Sequence, residues 1–371
     1  MSISRRDFMA GCLGAGLFSA VALGDESLDA KVKALGEKYF DLYGAPGLLV
    51  LAVKDGKPVT TLALGFRDIV QPNDITIKDR IAVGSLSKPI CGYIVSRLVQ
   101  DKVLTWETPF SKLAGDLCKD LHSPAADATL GQLMSHTAGL TYNVPGQDQV
   151  KGVVPTEGRE YLARLELSAP GVTAPGQRLE YAGGANLAVV MAERATEKSY
   201  EELIAQYINE ELKLPSIQMG MDILDKNVGS TPRGHYIDGK THEFLTYGRY
   251  TLWGRSMRYM CDATLAITGA ANEIASLLAI AAGFGGPSAS ATFESARNTN
   301  KDFPKYTLGS WAKNDKGLYH FGSSNLGDWS SVYALDSSKT TVFVYMNCNT
   351  MDNSFKGDAF VNELNALFTK D

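Results

Sequence analysis

Residues 81–109 read IAVGSLSKPICGYIVSRLVQDKVLTWETP. Ser85 and Lys88 stand three positions apart, so on a helix they share one face at hydrogen-bonding range. A serine hydroxyl is a poor nucleophile at neutral pH, but a neighbouring amine whose pKa is depressed by burial can accept its proton. Ser85 also falls at the start of the apolar run Ile90–Val99, where unpaired N–H groups and the helix dipole favour developing negative charge. Pro89 is tolerated there because the first helical turn has no internal use for its N–H. The stretch therefore predicts a long apolar helix over 85–100 with a candidate nucleophile at its head. Ser-x-x-Lys is a weak pattern on its own, and Ser87 and Ser135 (beside His136) compete with Ser85.

Working outward, Leu28, Val32, Leu35, Tyr39 and Leu42 recur at helical spacing, predicting an amphipathic helix over 26–43. Leu48–Val53 and Val59–Leu64 flank Asp55-Gly56, a hairpin signal. Near the other end, Ser331–Leu335 and Thr340–Asn347 flank a polar turn, and Phe360, Val361, Leu364, Leu367 and Phe368 mark a last helix over 358–369. Strands at both termini with helices beside them imply one antiparallel sheet assembled from the two chain ends. The middle reads as helical over 187–211 and 270–282, interrupted by Gly/Pro-rich loops at 142–155 and 169–177. The fold class is α/β (α+β), with an α/β lobe from about 25–84 and 285–371 and a helical lobe from about 85–284.

The 371 residues are 44% apolar and 21% charged with a net charge of −5, an ordinary globular composition long enough to bury a large core. No Lys/Arg run exceeds two residues, so nucleic acid is not an expected partner. Residues 1–24 pair Arg5-Arg6 with an uncharged, small-residue stretch, the layout of a twin-arginine export signal; the mature domain then spans 25–371 and is periplasmic or secreted. No later segment is long and apolar enough to cross a bilayer. Cys91, Cys118, Cys261 and Cys348 show no metal-ligand spacing and read as buried free thiols.

Four further stretches follow 81–109 in order: ATLGQLMSHTAGL (128–140), PGQRLEYAGGANLAVVMAERATEKSYEEL (175–203), YTLGSW (306–311) and HFGSSNLGDWSSVYALD (320–336). Together they resemble the serine β-lactamase and penicillin-binding-protein superfamily. The likeness is to its class C-like branch, which also holds D-alanyl-D-alanine carboxypeptidases, D-aminopeptidases and family VIII esterases. It covers about 30–370 and implies a β-lactamase/transpeptidase-like fold.

The resemblance implies Ser85 as nucleophile, with Lys88 and Tyr181 moving its proton and Tyr181 acidified by cationic neighbours. His320 stands where many β-lactamases carry the lysine of Lys-Thr-Gly, offering charge or a hydrogen bond. Gly322 lets substrate approach the strand, and the backbone N–H of Ser323 joins that of Ser85 as the oxyanion hole. Gly183 departs from the family's Tyr-x-Asn, removing an amide donor that grips substrate amides; Asn186 is the nearest replacement. His136 is implied to be a structural, buried histidine.

The function implied is an exported serine hydrolase forming an acyl-enzyme on a small ester or a D-amino-acid amide or peptide. A true β-lactamase ranks lower because both motifs are altered, and the rival from another class is a non-catalytic cell-wall-binding protein that kept the fold. No cofactor or metal is implied: His122, His235 and His242 make no zinc pattern. Neither Gly-x-Ser-x-Gly nor a phosphate-binding glycine loop appears. Loops 142–155 and 215–260 should frame the pocket, with Tyr247, Tyr250 and Trp253 as an aromatic rim, and the oligomeric state is left open.

Overall fold

The structure, a computed structural model, describes residues 27–70, 72–150, 154–220, 231–238, 240–241, 244–247, 261–286, 294–295, 297–324, 327–350 and 357–369. The signal-like residues 1–24, Tyr250 and Trp253 lie outside the described residues.

Helix α1 (Leu28–Tyr43) starts on Ser27, whose side chain accepts the Ala30 N–H. Strands β1 (Gly47–Lys54) and β2 (Lys57–Gly65) follow, joined through Asp55 and Gly56, both with positive φ as a tight hairpin turn requires. Next come β3 (Arg80–Ala82), a 3₁₀ turn at Gly84–Leu86, and α2 (Ser87–Gln100). The helical middle holds α3 (Phe110–Cys118), α4 (Leu130–Met134), α5 (Pro155–Ser168), α6 (Gly184–Thr196) and α7 (Tyr200–Ile204). Short strands β4 (Gln218–Met219), β5 (His235–Ile237), β6 (Phe244–Tyr247) and β7 (Ile267–Ala270) lead into α8 (Ala271–Ala281). The chain closes with β8 (Ala312–Asn314), β9 (Gly317–Gly322), β10 (Trp329–Leu335), β11 (Thr340–Met346), β12 (Cys348–Thr350) and α9 (Asp358–Thr369).

The main sheet is antiparallel in the order β2-β1-β11-β10-β9-β8, so the two ends of the chain meet at β1 and β11 as the hairpin patterns imply. Side chains alternate across it. Leu49, Leu51 and Val53 of β1 face the core shared with α2, α6 and α8, while Leu48, Val50 and Ala52 face the layer of α1 and α9. Those two terminal helices are tied by Tyr39, which donates to Glu363 at 2.6 Å and packs on Phe360.

Two features depart from the sequence reading. The helix expected over 187–211 is broken at Glu197, which adopts positive φ, because Ser199 and Glu202 form a capping box that starts a new helix. It then runs into a π-type turn at Ala205–Glu210. Two three-stranded sheets, β12-β5-β6 and β3-β7-β4, were not legible as strands. Helix α8 packs on β1 and β11 and also on α2. Among the described residues no helix is long and apolar enough to cross a membrane. The four described cysteines are unbridged; Cys91, Cys261 and Cys348 are buried, and Cys118 is partly so.

Candidate active site

Ser85 sits in the 3₁₀ turn ahead of α2, the one partly exposed residue in an otherwise buried run from Ile81 to Ser96, Arg80 before it being half-buried. The turn is held against the end of β9 by two side-chain-free positions. Gly84 has φ +52, and a Cβ there would lie 2.2 Å from the backbone of Ser323. A Cβ on Gly322 would lie 2.3 Å from the Val83 carbonyl oxygen. The backbones carrying Ser85 and Ser323 can therefore approach as closely as two peptide N–H groups aimed at one oxygen require.

Lys88 lies one turn on, 4% exposed. Its Nζ is 3.2 Å from Ser85 Oγ and donates to the Thr264 carbonyl at 3.1 Å. The same nitrogen lies 4.6 Å from the centre of the Tyr181 ring. Burial, with a smaller push from Asp262 and against an opposing pull from Ser85, holds the Tyr181 phenol well above its ordinary value. The acidified tyrosine expected from the sequence is thus corrected: the hydroxyl is protonated at neutral pH.

His320, on β9, is brought within 5.9 Å of the Tyr181 ring. Burial, with Lys88 nearby, depresses its pKa to about 3, against a smaller opposing pull from the Phe321 carbonyl. Its Nδ1 lies 2.8 Å from that carbonyl, so Nδ1 carries the proton and the ring is neutral. The charge-supplying role expected of this histidine is corrected accordingly. His136 also packs against Tyr181, ring centres 4.7 Å apart, and is buried and neutral for the same reasons. It accepts from the Ala182 N–H at 3.4 Å and contacts Ser310 Oγ at 3.3 Å.

The rival serines are engaged elsewhere. Ser87 Oγ accepts the Ile267 N–H at 3.1 Å, pinning α2 to β7, and Ser135 Oγ donates to the Gly131 carbonyl at 2.7 Å. Asn186 is not available as the missing amide donor: it is fully buried, and its Nδ2 is committed to the Arg159 carbonyl and to Glu166, both at 3.2 Å. Glu166 is the residue the sequence did not reveal. A Cβ on Gly183 would lie 1.8 Å from Glu166 Oε1, so the carboxylate of α5 fills the place a side chain at 183 would take.

A cavity of about 440 Å³ opens over Ser85, lined by Tyr181, Tyr306, Tyr319, His320, Phe321, Gly322, Ser323, Trp329 and Asp358. A smaller one of about 110 Å³ lies on the other side of Lys88 and Tyr181, with Glu166, Gly183 and Asp262 in its wall.

The sequence pattern of the Beta-lactamase family matches residues 28–366. The chain belongs to the Beta-lactamase family. No curated protein matches its sequence. Among solved structures, this family member is similar to D-amino acid amidase from Ochrobactrum anthropi SV3 at 16% identity and TM-score 0.71, over 92% of this chain and 99% of that one. It is similar to EstCE1, a hydrolase with promiscuous acyltransferase activity, at 14% identity and TM-score 0.69, over 92% and 98% of the two chains. A penicillin-binding protein homologue from Pyrococcus abyssi, octameric in its own structure, matches at 17% identity and TM-score 0.66, over 86% and 73%. At these identities the likeness establishes the β-lactamase-type fold.

Proposed function

We propose that the protein is a serine hydrolase that works through an acyl-enzyme on Ser85. The observation that carries this reading is the 3.2 Å contact of the buried Lys88 amine with Ser85 Oγ, Ser85 itself lining the larger cavity. Ser85 Oγ attacks the carbonyl carbon and passes its proton to Lys88 Nζ. The backbone N–H groups of Ser85 and Ser323 hold the oxyanion that forms. When the intermediate collapses, the protonated Tyr181 hydroxyl gives its proton to the departing oxygen or nitrogen, and Lys88 restores it. Water then repeats the sequence against the acyl-serine and releases the acid.

The electrostatics favour small esters, or amides of D-amino acids, over carboxylate-bearing β-lactams. His320 is neutral, and Asp358 is the one formally charged side chain among the described residues lining the cavity. Among the described lining residues a substrate carboxylate meets no cation, whereas aromatic and apolar groups meet Tyr306, Tyr319, Phe321 and Trp329. The likeness to EstCE1, a hydrolase with promiscuous acyltransferase activity, and to D-amino acid amidase supports the same reading. Kinetics on p-nitrophenyl butyrate, D-phenylalanine amide and nitrocefin test the reading. The expected order places nitrocefin last by kcat/KM, and nitrocefin as the best of the three would overturn the assignment of substrate class.

A further inference from the structure

Ser323 and Ser324 follow β9, Asp328 immediately precedes β10, and Asp328 is a buried carboxylate with an unusual set of partners. It is 1% exposed. Its Oδ1 accepts the Ser324 N–H at 2.7 Å and its Oδ2 accepts the Ser324 hydroxyl at 2.5 Å. Its own carbonyl takes one hydrogen from Asn349 Nδ2 at 2.9 Å, and that amide also reaches Ser323 Oγ at 3.2 Å. No lysine, arginine or histidine pairs with it among the described residues. Burial accordingly raises its pKa to about 6, against the hydrogen bonds from Ser324.

A carboxylate buried without a cation is costly, and a neutral side chain could fill this space more cheaply. What the carboxylate does offer is two acceptors in one plane, both spent on the residue that follows Ser323. The preceding peptide is fixed as well: Ser330 Oγ donates to the Gly322 carbonyl at 3.3 Å, and in a trans peptide the Ser323 N–H then points the opposite way. Gly84 closes the third side, since its α-carbon abuts the Ser323 backbone.

We infer that Asp328 is a positioning residue that orients the Ser323 N–H as the second oxyanion donor, with Asn349 steadying the same loop from β12. This rests on the acyl-enzyme reading given above, in which Ser323 supplies that donor. Asp328 touches no substrate atom; it acts through Ser324 and the loop.

The test compares Asp328→Ala and Asp328→Asn in the full chain, with active sites counted by fluorophosphonate titration and rates taken well below each Tm. Loss of a well-placed oxyanion donor costs about 10²–10³ in kcat, and a misaimed one should cost about tenfold to a hundredfold. Asp328→Ala is expected to lose that much kcat per titrated site with KM changed less than about threefold, because the donor matters most in the transition state. Asp328→Asn, which keeps an acceptor for the Ser324 N–H and removes the unpaired charge, is expected to recover most of the rate with a Tm at pH 8 no lower than wild type. An unchanged kcat per site in Asp328→Ala, or an equal loss in both variants, overturns the inference. Titration that fails in the wild type itself would instead overturn the acyl-enzyme reading, so the two failures are separable.

Discussion

Glu166 Oε1 occupies the point from which a side chain on Gly183 would grow, 1.8 Å from the ideal Cβ position. Gly183 caps the start of α6 with φ −73, an angle any residue adopts, so glycine is required there by the neighbour and not by the backbone. Glu166 therefore takes the space that an asparagine side chain at 183 would need.

Gly183→Ala should destabilise the fold by about 1–3 kcal/mol, the usual scale of overpacking, because Glu166 also holds the buried Asn186 amide and cannot simply swing away. Shortening Glu166 to alanine should relieve much of that strain. Urea denaturation of both singles and the double variant checks it: strongly non-additive values are expected, and additive ones would show that the two positions do not compete.

The proposed acid–base pair beside Ser85, Lys88 and Tyr181, gives a sharper kinetic expectation. Lys88→Ala and Tyr181→Phe should each lower kcat by about 10²–10⁴, the range for removing acid–base help, while leaving the fold intact. Circular dichroism alongside p-nitrophenyl butyrate hydrolysis distinguishes lost chemistry from lost structure. Activity within threefold of wild type in either variant would remove that residue from the mechanism.

Much of this architecture could be read from the chain. The last helix falls on 358–369 as its apolar spacing predicts, and the Asp55-Gly56 hairpin is where turn chemistry puts it. Ser85, Lys88, Tyr181, His320, Gly322 and Ser323 do converge on one cleft. What escaped was long-range. Glu166 reaches Gly183 from a different helix, and no local pattern announces a carboxylate filling a vacancy 17 positions away. The protonation of Tyr181 and His320 was equally invisible, since it follows from burial created only on folding. The helix break at Glu197 is different: Ser199 and Glu202 carry a capping signal that the longer apolar periodicity obscured.

The buried histidine has a pH signature whose sign is fixed. The folded His320 pKa of about 3 lies below the ordinary 6.5, so between those values the unfolded chain binds more protons. Its contribution to stability is present in full above about 6.5 and is lost as pH falls toward 3. His320→Gln should remove that dependence. Relative to wild type, the variant should gain stability between pH 7 and pH 4 in Tm measurements; a parallel offset across that range would mean the wild-type ring charges freely in the folded state.

Arg159 makes a separate stability prediction. Fully buried, it donates to Glu193 at 2.6 Å and to Glu201 at 2.8 Å, tying α5 to α6 and α7. Arg159→Ala strands the buried Glu193 carboxylate and should cost about 3–5 kcal/mol. Arg159→Lys should recover little, because a single ammonium cannot serve two carboxylates with a planar fork. Urea midpoints near wild type for either variant would contradict this.

The central claim is that the Ser85 oxygen becomes covalently acylated, and intact-mass spectrometry with peptide mapping after fluorophosphonate treatment examines it most directly. A single adduct on the peptide carrying Ser85, absent from Ser85→Ala, is the result predicted here. An adduct on another residue, or equal labelling of the alanine variant, would contradict it.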